Sequence, residues 1–509
     1  MKKSKDYRPY IPTLEYPRVA AFQGRDAYTH GDAGLANPIP LELLFKPWEK
    51  LYREPFRGIT TDGNVIPNLF ELAPNGAPVH LMVNAATTLL NLLSAEQRKA
   101  LCLPLDAREW RRWNNTEMYT YRYGLRLEEL SDGLKAAAMG VIQASLSQSG
   151  FEKTRHVMQI NHFLGELTGN TKVLGEWSYN FSLFGLPSLD GPWGWQLMGH
   201  HLALNCLVVN HQMVLTPTFM GAEPSHIDRG ALVGLNMFED EELRGLSFMT
   251  SLSPLQRQQA ILYHSSVGGD LPDGRRHKAD QLHLGGAMQD NRIIPYEGLS
   301  AKAMTSAQKR DLMSLVETYV SPMPEGPRKA RLDEVERYLD DTHFCWIGGT
   351  GEEDTFYYRI QSPVVMIEFD HHSGVFLTNP LPAKFHIHTL VRTPNGNDYG
   401  LDLLRLHYLQ DHHHSIQPGV TGGPIHHQSR HSHSEHDHHH SHSHDNGHVH
   451  SHDHKHDHSH DHSHGHSHGH SHDHSHDHTH KHSHPHHHSD DHSPSQMHGD
   501  TNPNNLNKD

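Results

Sequence analysis

The stretch HSHDHSHGHSHGHSHDHSHD, His458 to Asp477, puts an imidazole at almost every second position. It belongs to a segment, His412 to Asp509, that holds 37 of the 54 histidines and almost no apolar residues. A segment so poor in apolar side chains cannot bury enough surface to offset the entropy of ordering it. Residues 412–509 are therefore expected to form a disordered tail, and any core must be built before them. Residues 1–40, rich in Pro, Gly and Tyr, read as an extended arm, which leaves 41–411 as the globular core.

The tail has a chemistry of its own. Neutral imidazole suits Zn, Ni, Cu and Co, and close spacing on a flexible chain lets one ion be wrapped in several equivalent ways. Weak, exchangeable, high-capacity metal binding is the expectation, set against a pH-responsive polyelectrolyte. The formal charge of −16 counts histidine as neutral. With roughly a quarter of free imidazoles protonated at pH 7, the tail moves from near-neutral to cationic as pH falls towards 6.

Composition excludes several classes. No basic patch with interleaved aromatics is present, so nucleic acid is not an expected partner. No run of 18 apolar residues exists, so no spanning helix and no membrane partner are expected. Cys102, Cys206 and Cys345 are far apart with no CxxC spacing, which argues against a disulfide framework and a thiolate zinc site. The opening MKKSKDYRPYIPTLEYPRVA has lysines but no apolar run behind them, so a cytoplasmic, reducing location is expected.

Periodicity gives an α+β fold, with a helical N-terminal half packed against a mostly antiparallel sheet. Apolar residues recur at three- and four-residue steps in NAATTLLNLLSAEQRKALCL, LEELSDGLKAAAMGVIQASLSQSG and TRHVMQINHFLGELTG. Ser94/Gln97, Ser253/Gln256 and Thr305/Gln308 read as capping boxes, and further helices are expected near 240–265, 305–321 and 329–341. From Trp193 onwards, WGWQLMGHHLALNCLVV and MVLTPTF read as strands around a tight turn. HFCWIGG, TFYYRIQ, PVVMIEF, GVFLTN and KFHIHTLVR follow as strands, and YGLDLLRLHYLQ as a closing helix.

Three constellations can carry chemistry. In FHIHTLV, strand alternation puts His386 and His388 on one face, ~7 Å apart, able to share an ion if a neighbouring strand adds a ligand. Glu368, a carboxylate in the apolar run PVVMIEF, is the candidate, with His371 and His372 placed in a following turn. The alternative is a pair of surface or hydrogen-bonded histidines. In GHHLALN, a strand sends His200 and His201 to opposite faces, whereas a helix puts His201 and Asn205 together; the strand reading is preferred. Arg392 either binds an anionic substrate through its guanidinium fork or pairs with Glu368 or Asp398 for structural reasons. His407, near a helix end, reads as a dipole partner.

The blocks PWGWQLMGHHLALN, TPTFMGAEP, QRQQA, FYYRIQSPVVMIEFD and HIHTLVRTPNGNDYGLDLLRLHY resemble the family known as "domain of unknown function 3500" from about residue 60 to 410. The resemblance implies no particular reaction. It implies that the GHH and HIH blocks, here His200, His201, His386 and His388, are hallmark segments. Its members often look exported, unlike the start of this chain. Cupins share an HxH pair but want a glutamate soon after it, where this chain has Thr389 to Arg392.

Two functional readings follow. In one, the core is a metal-dependent oxidoreductase or hydrolase. His200 or His201, Glu368, His386 and His388 hold a divalent transition metal (Zn, Fe, Ni or Cu), Arg392 orients a small anionic substrate, and the tail gathers ions. In the other, the chain is a metal buffer or chaperone whose core docks a partner. The first requires the GHH and HIH blocks to meet in the fold.

Overall fold

The computed structural model describes residues 5–277 and 279–411; the expected tail lies outside the described residues. The capping boxes start helices where their side chains direct them. Ser94, Ser253 and Thr305 each accept from the backbone of the Gln three residues on, opening Ala95–Leu101, Pro254–Ala260 and Ser306–Val320. The other N-terminal periodicities become Val79–Leu92, Asp132–Ser145 and Gln148–Thr168. Among the described residues, no helix is long and apolar enough to cross a membrane.

Among the described residues, twelve strands make one sheet. β1 is Cys102–Leu103, β2 Leu125–Arg126, β3 Tyr179–Phe184, β4 Trp193–Gly199, β5 Leu202–Val209 and β6 Gln212–Ala222. β7 is Ile261–Tyr263, β8 Leu299–Ser300, β9 His343–Gly348, β10 Phe356–Gln361, β11 Met366–His372 and β12 Ala383–Arg392. The order is β1-β3-β4-β5-β6-β12-β11-β10-β9-β7, with β2 on β3 and β8 on β9. Neighbours run antiparallel except β1/β3 and β7/β9. The central strands are buried on both faces, which explains why FYYRIQ and LALNCLVV read as continuous runs rather than alternating ones. The irregular segment from about 279 to 297 lies against the face that carries Glu368 and Arg392, through Leu284, Gly285 and Gly286.

Outside the GHH block, three segments differ from expectation. Residues 5–40 are not an extended arm: they form helices Pro17–Ala20, Ala27–Ala36 and Pro38–Pro40, and bury Tyr7, Val19 and Phe22 completely. GVFLTN is not a strand, because the Val375, Phe376 and Leu377 amides donate to the Glu223 carboxylate instead of to a neighbouring strand. And β11 runs on through Asp370, His371 and His372, so these residues are strand, buried to 1 % exposure or less, and not an exposed turn.

Candidate metal centre

β6 and β12 pair at the middle of the sheet, with Gly221 opposite His388. On β12 the alternation holds: His386 and His388 share a face, their Nε2 atoms 3.2 Å apart. His200 and His201 are not strand residues pointing to opposite faces. They are the two-residue turn between β4 and β5, closed by the Gly199/Leu202 pair, with His201 at φ +60° and the two rings stacked 3.9 Å apart. The His201 carbonyl accepts from Gly221 N at 2.8 Å, which pins the turn to β6. A Cβ on Gly221 would lie 2.7 Å from His388 Cδ2 and 3.1 Å from His201 Cδ2, so only glycine lets both rings approach.

The turn brings His201 to within 4.9 Å of His388 and 5.4 Å of His386, measured between ring centres. His201, His386 and His388 each offer a ligand atom, all within 4.8 Å of one another. The GHH and HIH blocks therefore meet. His200 is turned away: its Nδ1 donates to Asn161 Oδ1 at 2.7 Å, and Asn161 is fixed in turn by Nδ2 donating to the Gly175 carbonyl.

Next to these rings lie two residues expected in the turn DHHSG, Asp370 and His372, and one the sequence did not single out, His283. β11 pairs with β12 so that Asp370 faces His388. The His372 ring lies tilted by 38° against that of His388, ring centres 3.7 Å apart, and sits 3.3 Å from Asp370 Oδ2. His283, from the 279–297 segment, lies 3.3 Å from Asp370 Oδ1. Asp370, His372 and His388 form a second convergent set. Alternation from Glu368 to Asp370 to His372 was the signal that could have found this set, had β11 been extended; nothing in QLHLGG singled out His283.

Glu368 and Arg392 share this face but are not brought to the histidines. The Glu368 carboxylate accepts from the Leu284 and Gly285 amides and from Tyr357 Oη, at 2.7 to 2.8 Å. Arg392 donates to the Gly285 and Gly286 carbonyls, Asp290 and Asp398 at 2.7 to 2.9 Å and is fully buried. Four of its five N–H donors are taken, so it anchors the 279–297 segment and has no fork free for a substrate. This is the structural alternative, with Asp398 rather than Glu368 as one partner.

Burial, with neighbouring imidazoles adding to it, drives the pKa values of His201, His386 and His388 well below the ordinary histidine value. They are neutral at pH 7, the form that ligates. His386 Nδ1 donates to the Ser373 carbonyl at 2.9 Å, which leaves its Nε2 lone pair facing His388. Beside it Glu223 Oε1 lies 3.7 Å away, its carboxyl pushed up to about 7 by burial and partly offset by three backbone amides. For Asp370, burial raises the pKa, but His372, His283 and the Leu282 amide outweigh it and hold the carboxylate ionised.

A metal ion fits this donor set. His388 Nδ1 and His372 Nδ1 are buried without a hydrogen-bond partner, and Asp370 meets His283 Nε2 and His372 Nε2 only at 3.3 Å. Buried polar atoms without partners are costly, and these point to a missing partner. The 3.2 Å separation of the His386 and His388 Nε2 atoms is close to the ~3.4 Å edge of a tetrahedron built on ~2.1 Å bonds.

A family model described as "Protein of unknown function (DUF3500)" matches residues 75–401. That span contains every residue of the centre. No curated protein and no solved structure matches the chain.

Proposed function

The chain belongs to this family of proteins of unknown function, and we propose that it is a metal-dependent enzyme whose His201, His386 and His388 hold a divalent transition ion. The observation behind this is the convergence of three buried, neutral imidazoles with unpartnered nitrogens beside them. When bound, such an ion supplies Lewis-acid polarisation, the basis of hydrolase and many oxidoreductase reactions. Three neutral ligands leave coordination positions open, as catalytic sites do and closed structural sites do not.

The chain's own residues divide the remaining work. The Ser373 carbonyl accepts from Nδ1 of His386 and so aims Nε2 inward; Glu223 holds the 375–377 backbone that carries this arrangement. Asp370 sets an ionised carboxylate beside His388 and His372. With Arg392 committed to Asp290 and Asp398, an anionic substrate would have to find its cation in the metal itself. The tail, residues 412–509, gathers Zn-, Ni- or Cu-type ions and raises their concentration near the core.

A second reading, a buffer or chaperone without a reaction, draws on the near-complete burial of the ligands, 0 to 3 % exposed. Elemental analysis separates metal from no metal: after dialysis against a chelator strong enough to strip the tail, the full chain should retain transition metal and His386→Ala/His388→Ala should not. Equal metal in both proteins would refute the centre. Turnover of ester, phosphoester or phenolic probes that requires the same two histidines separates enzyme from buffer.

A further inference from the structure

The metal reading leaves part of the cluster unused. The ligand-type side chains form two sets, His201/His386/His388 and Asp370/His372/His388, and each set converges within 4.8 Å. Only His388 is in both, and the sets do not merge into one group at that span. An ion on ~2.1 Å bonds has no two ligands farther apart than ~4.2 Å. One ion cannot serve all five side chains as they stand.

An ion at the first set also leaves polar atoms unanswered. His388 Nε2 faces His386, so it is Nδ1 that remains buried and without a partner. His372 Nδ1 is in the same condition at 1 % exposure, and the fully buried Asp370 meets its two histidine neighbours only at 3.3 Å. The Asp370 carboxylate is nonetheless oriented, because its Oδ2 accepts from the Leu282 amide and His283 lies against Oδ1.

We propose that the centre takes two divalent transition ions, the second on Asp370 and His372, with His388 between them giving one ring nitrogen to each. The inference rests on the metal reading above. A ring that binds through both nitrogens releases its proton to solvent on loading. Imidazole donors with a single carboxylate favour zinc, copper or nickel over magnesium or calcium. His283 is a positioning residue that steers the carboxylate.

Anomalous diffraction at the zinc edge, from crystals of the zinc-loaded full-length chain, tests this by position, so zinc on the tail does not interfere. The expected map has two peaks in the cluster, one beside His201 and His386 and one beside Asp370 and His372. Asp370→Asn should lose only the second peak, and His201→Gln only the first. A single wild-type peak, whether on the three histidines or shared by all five side chains, overturns the second ion and leaves the metal reading intact. No peak at all overturns both. The wild-type map decides the count whatever the stability of the variants.

Discussion

Two buried polar clusters sit on the same face of β12, four residues apart, and they are finished differently. Around Arg392, protein groups answer one another: Asp290 accepts from Arg111, Arg392 and Tyr399, and Asp398 from Arg392, Thr393 and Thr216. Around His388, ring nitrogens are buried with hydrogen bonds unmade. The same strand and the same burial thus yield a closed network at one end and an open one at the other. A closed network stabilises the fold unaided; an open one leaves ligand atoms positioned to hold a metal ion.

The difference can be broken from either side. Asp290→Ala should act most strongly, since it leaves Arg111 and Arg392 buried together without their carboxylate. The expected cost is ~3–5 kcal/mol in urea denaturation, the same with or without metal. A loss below ~1 kcal/mol would mean the closed cluster is not self-sufficient. Chelation should act next, and only on the open cluster. Stripping metal present at 100 times its dissociation constant costs about 2.7 kcal/mol, and His386→Ala/His388→Ala should show no chelator-dependent shift in its midpoint.

Glu223→Gln sharpens the contrast more gently. It disturbs the amides of Val375 to Leu377 and, through Ser373, the aim of His386, so metal affinity should fall ~10–100-fold in competition with a chromophoric chelator. Unchanged affinity would show that this support is dispensable. The smallest effect is one of pH. Burial raises the Asp290 pKa, but Arg392 and Arg111 outweigh it and hold it below the usual carboxylate value. A depressed folded pKa adds stability that is present above the unfolded value, ~3.9, and is lost as pH falls through the lower folded one. Stability measured below about pH 4 should therefore fall less steeply in Asp290→Asn than in the wild type.

How much of this was legible in the sequence depended on how local each signal was. The capping boxes are four-residue patterns and start helices as expected. The HxH pair needs only strand alternation, so His386 and His388 were found on one face. The GHH block misled because its two histidines are a hairpin turn without the Asn or Gly that marks most such turns. Asp370 and His372 were missed because DHHSG resembles a turn, while β11 continues through it. Glu368 and Arg392 lie on the right face; what removes them from the centre is the segment containing Leu284, Gly285 and Asp290, far away in sequence. No periodicity reports such a partner.

The line where β6 meets β12 has a mechanical meaning. It joins two half-sheets, the meander β3 to β6 and the meander β9 to β12. His201 belongs to the first half, and Asp370, His372, His386 and His388 to the second. An ion bound there is a clasp across the seam, fastened only once both halves have folded and come together. Pulled apart at its ends in a single-molecule experiment, the loaded protein should part at this seam at higher force than the stripped one, and the clasp should not refasten until the seam has closed.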